Sequence, residues 1–409
     1  MSLQSFALLK KFVRRGELTV IDHAGERHTF GTGEPRAAIR LNTASAFSVM
    51  ARNPQLKLGE AYMDRLWDVG DGTLHDVLTL LRINLEAAVA AGGRWQPLKA
   101  LLSSWNGITA SRRNVSHHYD LDEPLFRACL DEAMHYSCAY FRDRGMTLEE
   151  AQHAKSEHIA AKLALRPGHR VLDIGCGWGS LAMHLAENRD VRVTGLTLST
   201  EQLRVARETA RSRGLDGRVE FLLQDYREHA QVYDRIVSVG MFEHVGKPNM
   251  QRFFDSVHEN LADDGVALLH TIGTREPPVP INPWIRRYIF PGGYIPALSD
   301  IAPAVERADL VTTDIEILRR HYALTLKEWN RRFQRARSRF VDTKGEGFCR
   351  MWEFYLVICQ TAFEIGDLVV FQWQLAKDNE AVPITRDYLY SDPPSAPVSM
   401  QPMRIAGRQ

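Results

Sequence analysis

The chain has 409 residues, with 51 Lys and Arg against 50 Asp and Glu, 44% hydrophobic residues and five cysteines. That balance excludes a disordered chain and a nucleic-acid binder working through bulk positive charge, and at roughly 100–200 residues per domain it allows two or three folded domains. No stretch approaches the roughly 18 apolar residues of a membrane span, Met1 to Val20 does not read as a cleavable leader, and the scattered cysteines form no CxxC pair, so a cytoplasmic protein without a metal site is expected.

Residues 1–100 read as a small α+β domain. Leu18 to Asp22 and Arg27 to Phe30 form a hairpin across His23 to Glu26, and Ala37 to Asn42 is a third strand. Helices follow from Thr43, from Leu58 and over Thr73 to Ala91, with Leu74, Val77, Leu78 and Leu81 on one face and Gly92-Gly93 as the stop. Nothing here carries evident chemistry, so structural support, dimerisation and substrate delivery all stay open. Residues 101–115 read as a linker.

From 116 to 390 strands alternate with helices, the pattern of a doubly wound α/β domain. Strands at Val171 to Gly175, Val191 to Leu196, Val219 to Leu223, Tyr233 to Gly240 and Gly265 to Ile272 are separated by helices over Ser180 to Glu187, Thr200 to Arg213 and Met250 to Leu261. Thr274 to Ile295, rich in Pro, Gly and aromatics, is too long for an ordinary connection. Leu310 to Lys377 reads strand, helix, helix, strand, which completes the sheet. The proline-rich tail, 391–409, is expected to be disordered.

The sharpest motif is Asp173-Ile174-Gly175-Cys176-Gly177-Trp178-Gly179, where a strand turns into a helix. A dinucleotide loop needs GxGxxG and a Walker loop needs GK followed by Ser or Thr; neither is present. The GxGxG spacing led by an acid is that of S-adenosylmethionine-dependent methyltransferases, whose glycines let the backbone approach the methionine moiety. After the second strand, Thr197, Leu198, Ser199 and Gln202, or else Glu201, take the place of the usual ribose-binding acid. After the third, Tyr226 is placed to stack on adenine or to pack, and Asp225 to accept from the adenine amino group.

With Gly195 to Gln202 (GLTLSTEQ) in place, the chain resembles the cyclopropane-fatty-acyl-phospholipid synthase family. Further matching segments are His118-Tyr119-Asp120, Tyr136 to Phe141, Leu172 to Gly179, Met241 to Gly246, Leu269 to Gly273, Tyr288 to Gly293, and His321 to Leu326 with Trp329. The resemblance implies a Rossmann-like class I methyltransferase domain behind the small N-terminal domain. It implies S-adenosylmethionine contacts from Tyr136, Ser137, Asp173, Gly175, Cys176, Gly177, Gly179, Thr197, Leu198, Ser199, Gln202, Tyr226 and Arg227. It also implies a bicarbonate ion beside the reacting methyl, held by Cys138, Glu243, His270, backbone Ile272 and Tyr322. Cys359, on an apolar helix, is either an active-site cysteine or packing.

The implied reaction adds a methylene to the cis double bond of an unsaturated phospholipid acyl chain. An isolated alkene is a weak nucleophile and must be held in line with the sulfonium methyl. The resulting carbocation closes to a cyclopropane only if a base removes a proton from the new methyl. Aromatic faces such as Tyr140, Phe141 or Phe290 can stabilise the cation. A relative that stops before ring closure would give a methyl-branched or methylated unsaturated chain. The resemblance further implies transient contact with the inner face of the membrane and a homodimer through the N-terminal domain. The insertion, with Trp284, Ile285, Tyr288, Ile289 and Phe290 beside Arg286 and Arg287, is either that membrane element or a lid over its own core.

Overall fold

Period-two apolar runs near the N-terminus make a sheet that buries one face under helices. The structure, a computed structural model, describes residues 3–90, 123–278 and 280–390. In the N-terminal unit, α1 (Leu3–Phe12) precedes β1 (Gly16–Ile21), β2 (Arg27–Thr32) and β3 (Arg36–Leu41), followed by α2 (Ala46–Arg52), α3 (Pro54–Met63), β4 (Trp67–Val69) and α4 (Leu74–Ala90). The sheet order is β2-β1-β3-β4; the expected hairpin is present, and β1 also pairs in parallel with β3. The Gly92-Gly93 stop, the 101–115 linker, the His118-Tyr119-Asp120 segment and the tail lie outside the described residues.

The larger unit opens with α5 (Glu123–Cys129) and α6 (Leu148–Lys162). Thr147 starts α6 through a reciprocal capping box with Glu150. Then come β5 (Arg170–Ile174), α7 (Ser180–Arg189), β6 (Arg192–Thr197), α8 (Thr200–Ser212), β7 (Val219–Leu223), β8 (Tyr233–Val239), α9 (Met250–Asn260) and β9 (Leu261–Thr274). The insertion holds α10 (Pro283–Tyr288) and leads to α11 (Leu298–Arg307), β10 (Val311–Leu318), α12 (His321–Lys344), α13 (Glu346–Glu364) and β11 (Leu368–Ala376).

Seven strands form one sheet in the order β10-β11-β9-β8-β5-β6-β7. Strands β9, β8, β5, β6 and β7 run parallel, and β11 enters antiparallel between β9 and β10. Strand order reverses at β5, flanked by β6 and β8, and that switch point leaves a crevice at the carboxyl ends of β5 and β8.

The N-terminal unit does not stand apart from the catalytic one. A single buried cluster runs from Leu18, Val20 and Trp67 through Trp284 of the insertion to Trp329, Trp352 and Phe354 of the α12–α13 pair. Arg350, 7% exposed, donates to the carbonyls of Tyr62 and Trp67 and to Asp68, with its guanidinium 3.8 Å from the centre of the Tyr62 ring. Glu60 on α3 accepts from Arg287 and Tyr288 of the insertion, each at 3.0 Å. The insertion is therefore clamped over the core. Trp284 is fully buried and Ile289 nearly so, while Arg286 and Arg287 face outward.

Gly59 permits that clamp, because a Cβ there would lie 2.5 Å from the Trp284 Nε1 and 2.8 Å from Phe354. Both rings are buried and cannot swing away. Gly59→Ala should therefore destabilise the folded protein by about 1–3 kcal/mol despite the better helix propensity of alanine, read as a lower denaturation midpoint; an unchanged midpoint would show that α3 and α10 are not in tight contact.

Candidate active site

The crevice at the switch point is a cavity of about 130 Å³. Its wall is built from the ends of β5, β6 and β8, the glycine turn, the exit of β7 and the segment before α6. Of the expected cofactor residues, Tyr136, Ser137, Asp173, Gly175, Cys176, Gly177, Thr197, Leu198, Gln202, Tyr226 and Arg227 line it. Gly179 and Ser199 stand behind the wall. Gly179 caps α7 at φ +82°, where a Cβ would meet Phe221 at 2.5 Å, and the Ser199 hydroxyl accepts from the Gln202 backbone to start α8.

Gln202, not Glu201, lies in the cavity wall at the end of β6, where a ribose-binding acid is customary. The Thr197 hydroxyl donates to Gln202 Oε1 at 3.0 Å, and among the described residues nothing accepts from the Gln202 amide nitrogen, which lies in the cavity wall. Glu201, one residue and about 100° earlier on the helix, points to solvent and pairs with Arg204 at 2.7 Å. Asp225 also lines the cavity, and both its oxygens accept from Arg227, at 2.8 and 2.7 Å, which holds Arg227 beside the Tyr226 ring.

A second polar group adjoins the cavity through Tyr136. Glu243, on a single helical turn after β8, accepts the Ile272 backbone N–H through Oε1 at 2.6 Å. Its Oε2 is buried without a partner among the described residues, and burial lifts its pKa from 4.5 to about 7. Tyr322 is buried within electrostatic reach of Tyr136, Cys138, Glu243 and Cys359, and burial holds its hydroxyl protonated. Cys138 is 1% exposed and burial raises its pKa, so it is a thiol and not a thiolate, and its S–H donates to the Ala139 carbonyl at 3.3 Å. Cys359 is likewise pushed up to about 12 by burial, which removes it as a nucleophile at neutral pH. Tyr136 completes the group, its hydroxyl 2.8 Å from that of Tyr355 and its ring stacked on Trp329.

The structure adds detail to three expectations here. The Ile272 N–H is committed to Glu243, so the backbone at this residue serves the site by fixing the carboxyl. His270, 2% exposed and kept neutral by burial that lowers its pKa to about 3, has Nδ1 3.2 Å from Gln372 Nε2 on β11. It sits in the electrostatic surroundings of Lys155, Lys162, His158 and Glu316. Tyr140 is not placed for the cation: its ring stacks on the imidazoles of His158 and His321 at 4.3 and 5.2 Å. The aromatic faces around the site are those of Tyr136, Tyr322, Tyr355 and Phe290.

Sequence reasoning missed Met134, His135, Lys155, Trp178, Met241 and His244, all of which line the cavity. Lys155 had a detectable signal. It falls one helical turn from both Ala151 and Ile159, on the buried stripe of α6, where a cation is out of place.

Residues 107–373 match the family model described as mycolic acid cyclopropane synthetase, and residues 8–90 match a domain of unknown function. The chain is 41% identical to the cyclopropane-fatty-acyl-phospholipid synthase of Escherichia coli K12, over 83% of this chain and 88% of that protein. It is 34% identical to the tuberculostearic acid methyltransferase UfaA1 of Mycobacterium tuberculosis, over 85% of each. The solved mycolic acid cyclopropane synthase CmaA1, complexed with S-adenosylhomocysteine and CTAB, superposes with a TM-score of 0.62 at 35% identity, over 64% of this chain and 97% of that one. The chain therefore belongs to the mycolic acid cyclopropane synthetase family, and it is an S-adenosylmethionine-dependent methyltransferase with the class I fold.

Proposed function

We propose that this protein adds a methylene from S-adenosylmethionine across the cis double bond of an unsaturated phospholipid acyl chain to form a cyclopropane. The observation that carries the reading is the buried, half-satisfied Glu243 carboxyl within electrostatic reach of Tyr322. An acyl chain needs an apolar approach, and Ile272, Phe290, Ile358 and Cys359 stay partly accessible although they pack on the core. The likeness to the Escherichia coli synthase supports the phospholipid substrate.

In this reading the alkene π electrons form a bond to the transferred methyl carbon while the sulfur–carbon bond breaks, leaving a cation on the chain. Loss of a proton from the new methyl then closes the ring. Tyr136, Tyr322 and Phe290 face the cation with aromatic quadrupoles and exclude water that would trap it. The residues present fit a small hydrogen-bonding anion: Glu243 Oε2 can accept from its O–H, and the Tyr322 hydroxyl can donate to its oxygens. Bicarbonate bound there supplies a base that is not part of the chain. His270 lies on the same strand as Ile272, two residues earlier and on the same face.

A second reading, methyl branching without ring closure, is favoured by the similarity to the tuberculostearic acid methyltransferase. Mass spectrometry of lipids from cells lacking cyclopropane activity and expressing this protein separates the two. Ring formation adds one methylene and removes the alkene with no saturated branch; a retained alkene or a methyl branch selects the second reading.

The proposal includes transient contact with the inner face of the membrane. Outward-facing Arg286 and Arg287, at the edge of the insertion, support it by offering cations to anionic headgroups, and Phe6 and Leu8, exposed on α1, offer a surface for the expected homodimer. Charge reversal by Arg286→Glu, which leaves the Arg287–Glu60 pair intact, should reduce cosedimentation with vesicles of anionic lipid, and undiminished binding would place the contact elsewhere.

A further inference from the structure

Strand β11 is buried on both faces, and such a strand normally reads as an apolar run. Gln372 and Gln374 break that run, and both are fully buried. Gln374 has a structural use: its amide donates to the Lys162 carbonyl and to the Tyr388 hydroxyl, and its oxygen accepts from the Thr313 hydroxyl at 2.8 Å. Gln372 has no such set of partners. Among the described residues its side chain makes one hydrogen bond, to His270, and its Oε1 is buried without a partner. A half-satisfied buried amide costs more than an apolar side chain of the same shape would, so the contact with His270 is what accounts for it.

Strand register places that contact. Glu316 on β10 stands opposite Gln372, and Gln372 stands opposite His270 on β9, so the three form a row on one face of the sheet. At the outer end Glu316 lies 2.6 Å from both the Lys162 ammonium and His158 Nε2. At the inner end burial keeps His270 neutral, and the nearby Lys155 and Lys162 push the same way. A neutral imidazole carries a single N–H. The amide nitrogen of Gln372 has no lone pair to offer, so at 3.2 Å it donates to Nδ1, which is then the accepting nitrogen. The ring proton therefore sits on Nε2, and among the described residues Nε2 makes no hydrogen bond.

We infer that Gln372 is a positioning residue, which holds His270 as the Nε2–H tautomer so that the ring presents a donor to the small anion beside Glu243. This rests on the reading of an anion site at Glu243 and adds how the histidine is made fit for it. With the opposite tautomer the ring would turn a lone pair toward an anion and repel it. The two polar side chains are thus set from neighbouring strands, Glu243 by the Ile272 backbone of β9 and His270 by Gln372 of β11.

Nitrogen-15 NMR of the ligand-free protein with labelled histidine reads the tautomer directly, the His270 signals being identified by their loss in His270→Asn. Wild type should show Nε2 protonated and Nδ1 unprotonated at neutral pH; a protonated Nδ1 would overturn the inference. Gln372→Leu removes the donor at similar volume. It should mix the two tautomers and lower methylation turnover roughly 10- to 100-fold, as loss of the partner that orients a ligating histidine does at metal sites, while affinity for S-adenosylhomocysteine stays within about twofold. A variant that keeps the wild-type tautomer and turnover, or that loses cofactor affinity in step with turnover, would equally overturn it. Should the variant not fold, the tautomer of wild type decides alone. Bicarbonate added to wild type should shift the Nε2 signal; the expected tautomer without that shift would remove the anion-site reading and leave the role of Gln372 in setting the tautomer intact.

Discussion

One hydrogen bond organises the reactive end of this molecule: the Ile272 backbone N–H to Glu243 Oε1. It ties the turn after β8 to β9 and fixes a buried carboxyl beside Tyr322. Its second oxygen has no partner among the described residues, so the charged form is penalised and the pKa rises to about 7. The sign of the linkage follows. A carboxyl raised in the folded state contributes stability that is complete below its unfolded pKa of about 4.5 and is lost as the pH rises through about 7. A strongly shifted buried carboxyl of this kind is what the proposed chemistry uses. Tyr322, protonated, lies within electrostatic reach of it.

The rest of the catalytic unit serves to wall off this pocket and to bring a nucleoside against it. The switch point at β5 provides the crevice, and backbone, hydroxyl and amide groups line the ribose side where an acid is customary. The insertion shares its packing with the N-terminal unit. The insertion between β9 and α11 folds Trp284 and Ile289 inward, and the N-terminal unit holds it there through Glu60 and Gly59. Arg350 joins the same unit to α13, whose Tyr355 lies within electrostatic reach of Tyr136, Tyr322 and Cys359. The N-terminal unit is thus packed into one core with the insertion and the α12–α13 pair, and among the described residues none of its own lines the cofactor cavity.

Much of this was legible in the sequence where local spacing carries the constraint. The GxGxG turn, Thr197 and Gln202, and the alternation of strands and helices all follow from contacts only a few residues apart. Other features depend on distance along the chain that no pattern records. Nothing local says that Ile272 would spend its N–H on Glu243, that Tyr140 would stack between imidazoles, or that Arg350 would reach Tyr62 and Asp68. Glu201 and Gln202 differ by one helical step, and only the placement of α8 decides which faces the cavity. Lys155 was concealed by its type, because a lysine on a helix usually reaches solvent. The antiparallel entry of β11 between β9 and β10 is set by the sheet as a whole.

The protonation state of Glu243 bears most directly on this account. Infrared difference spectroscopy of the ligand-free protein, comparing wild type with Glu243→Gln across a pH titration, isolates the carboxyl band of this one residue. The account predicts a protonated carboxyl that persists above the usual carboxylate range and titrates at a pH of about 7. A Glu243 already fully ionised at the ordinary pKa of 4.5 would contradict it, because the pocket would then be wet and polar instead of buried and waiting for a partner.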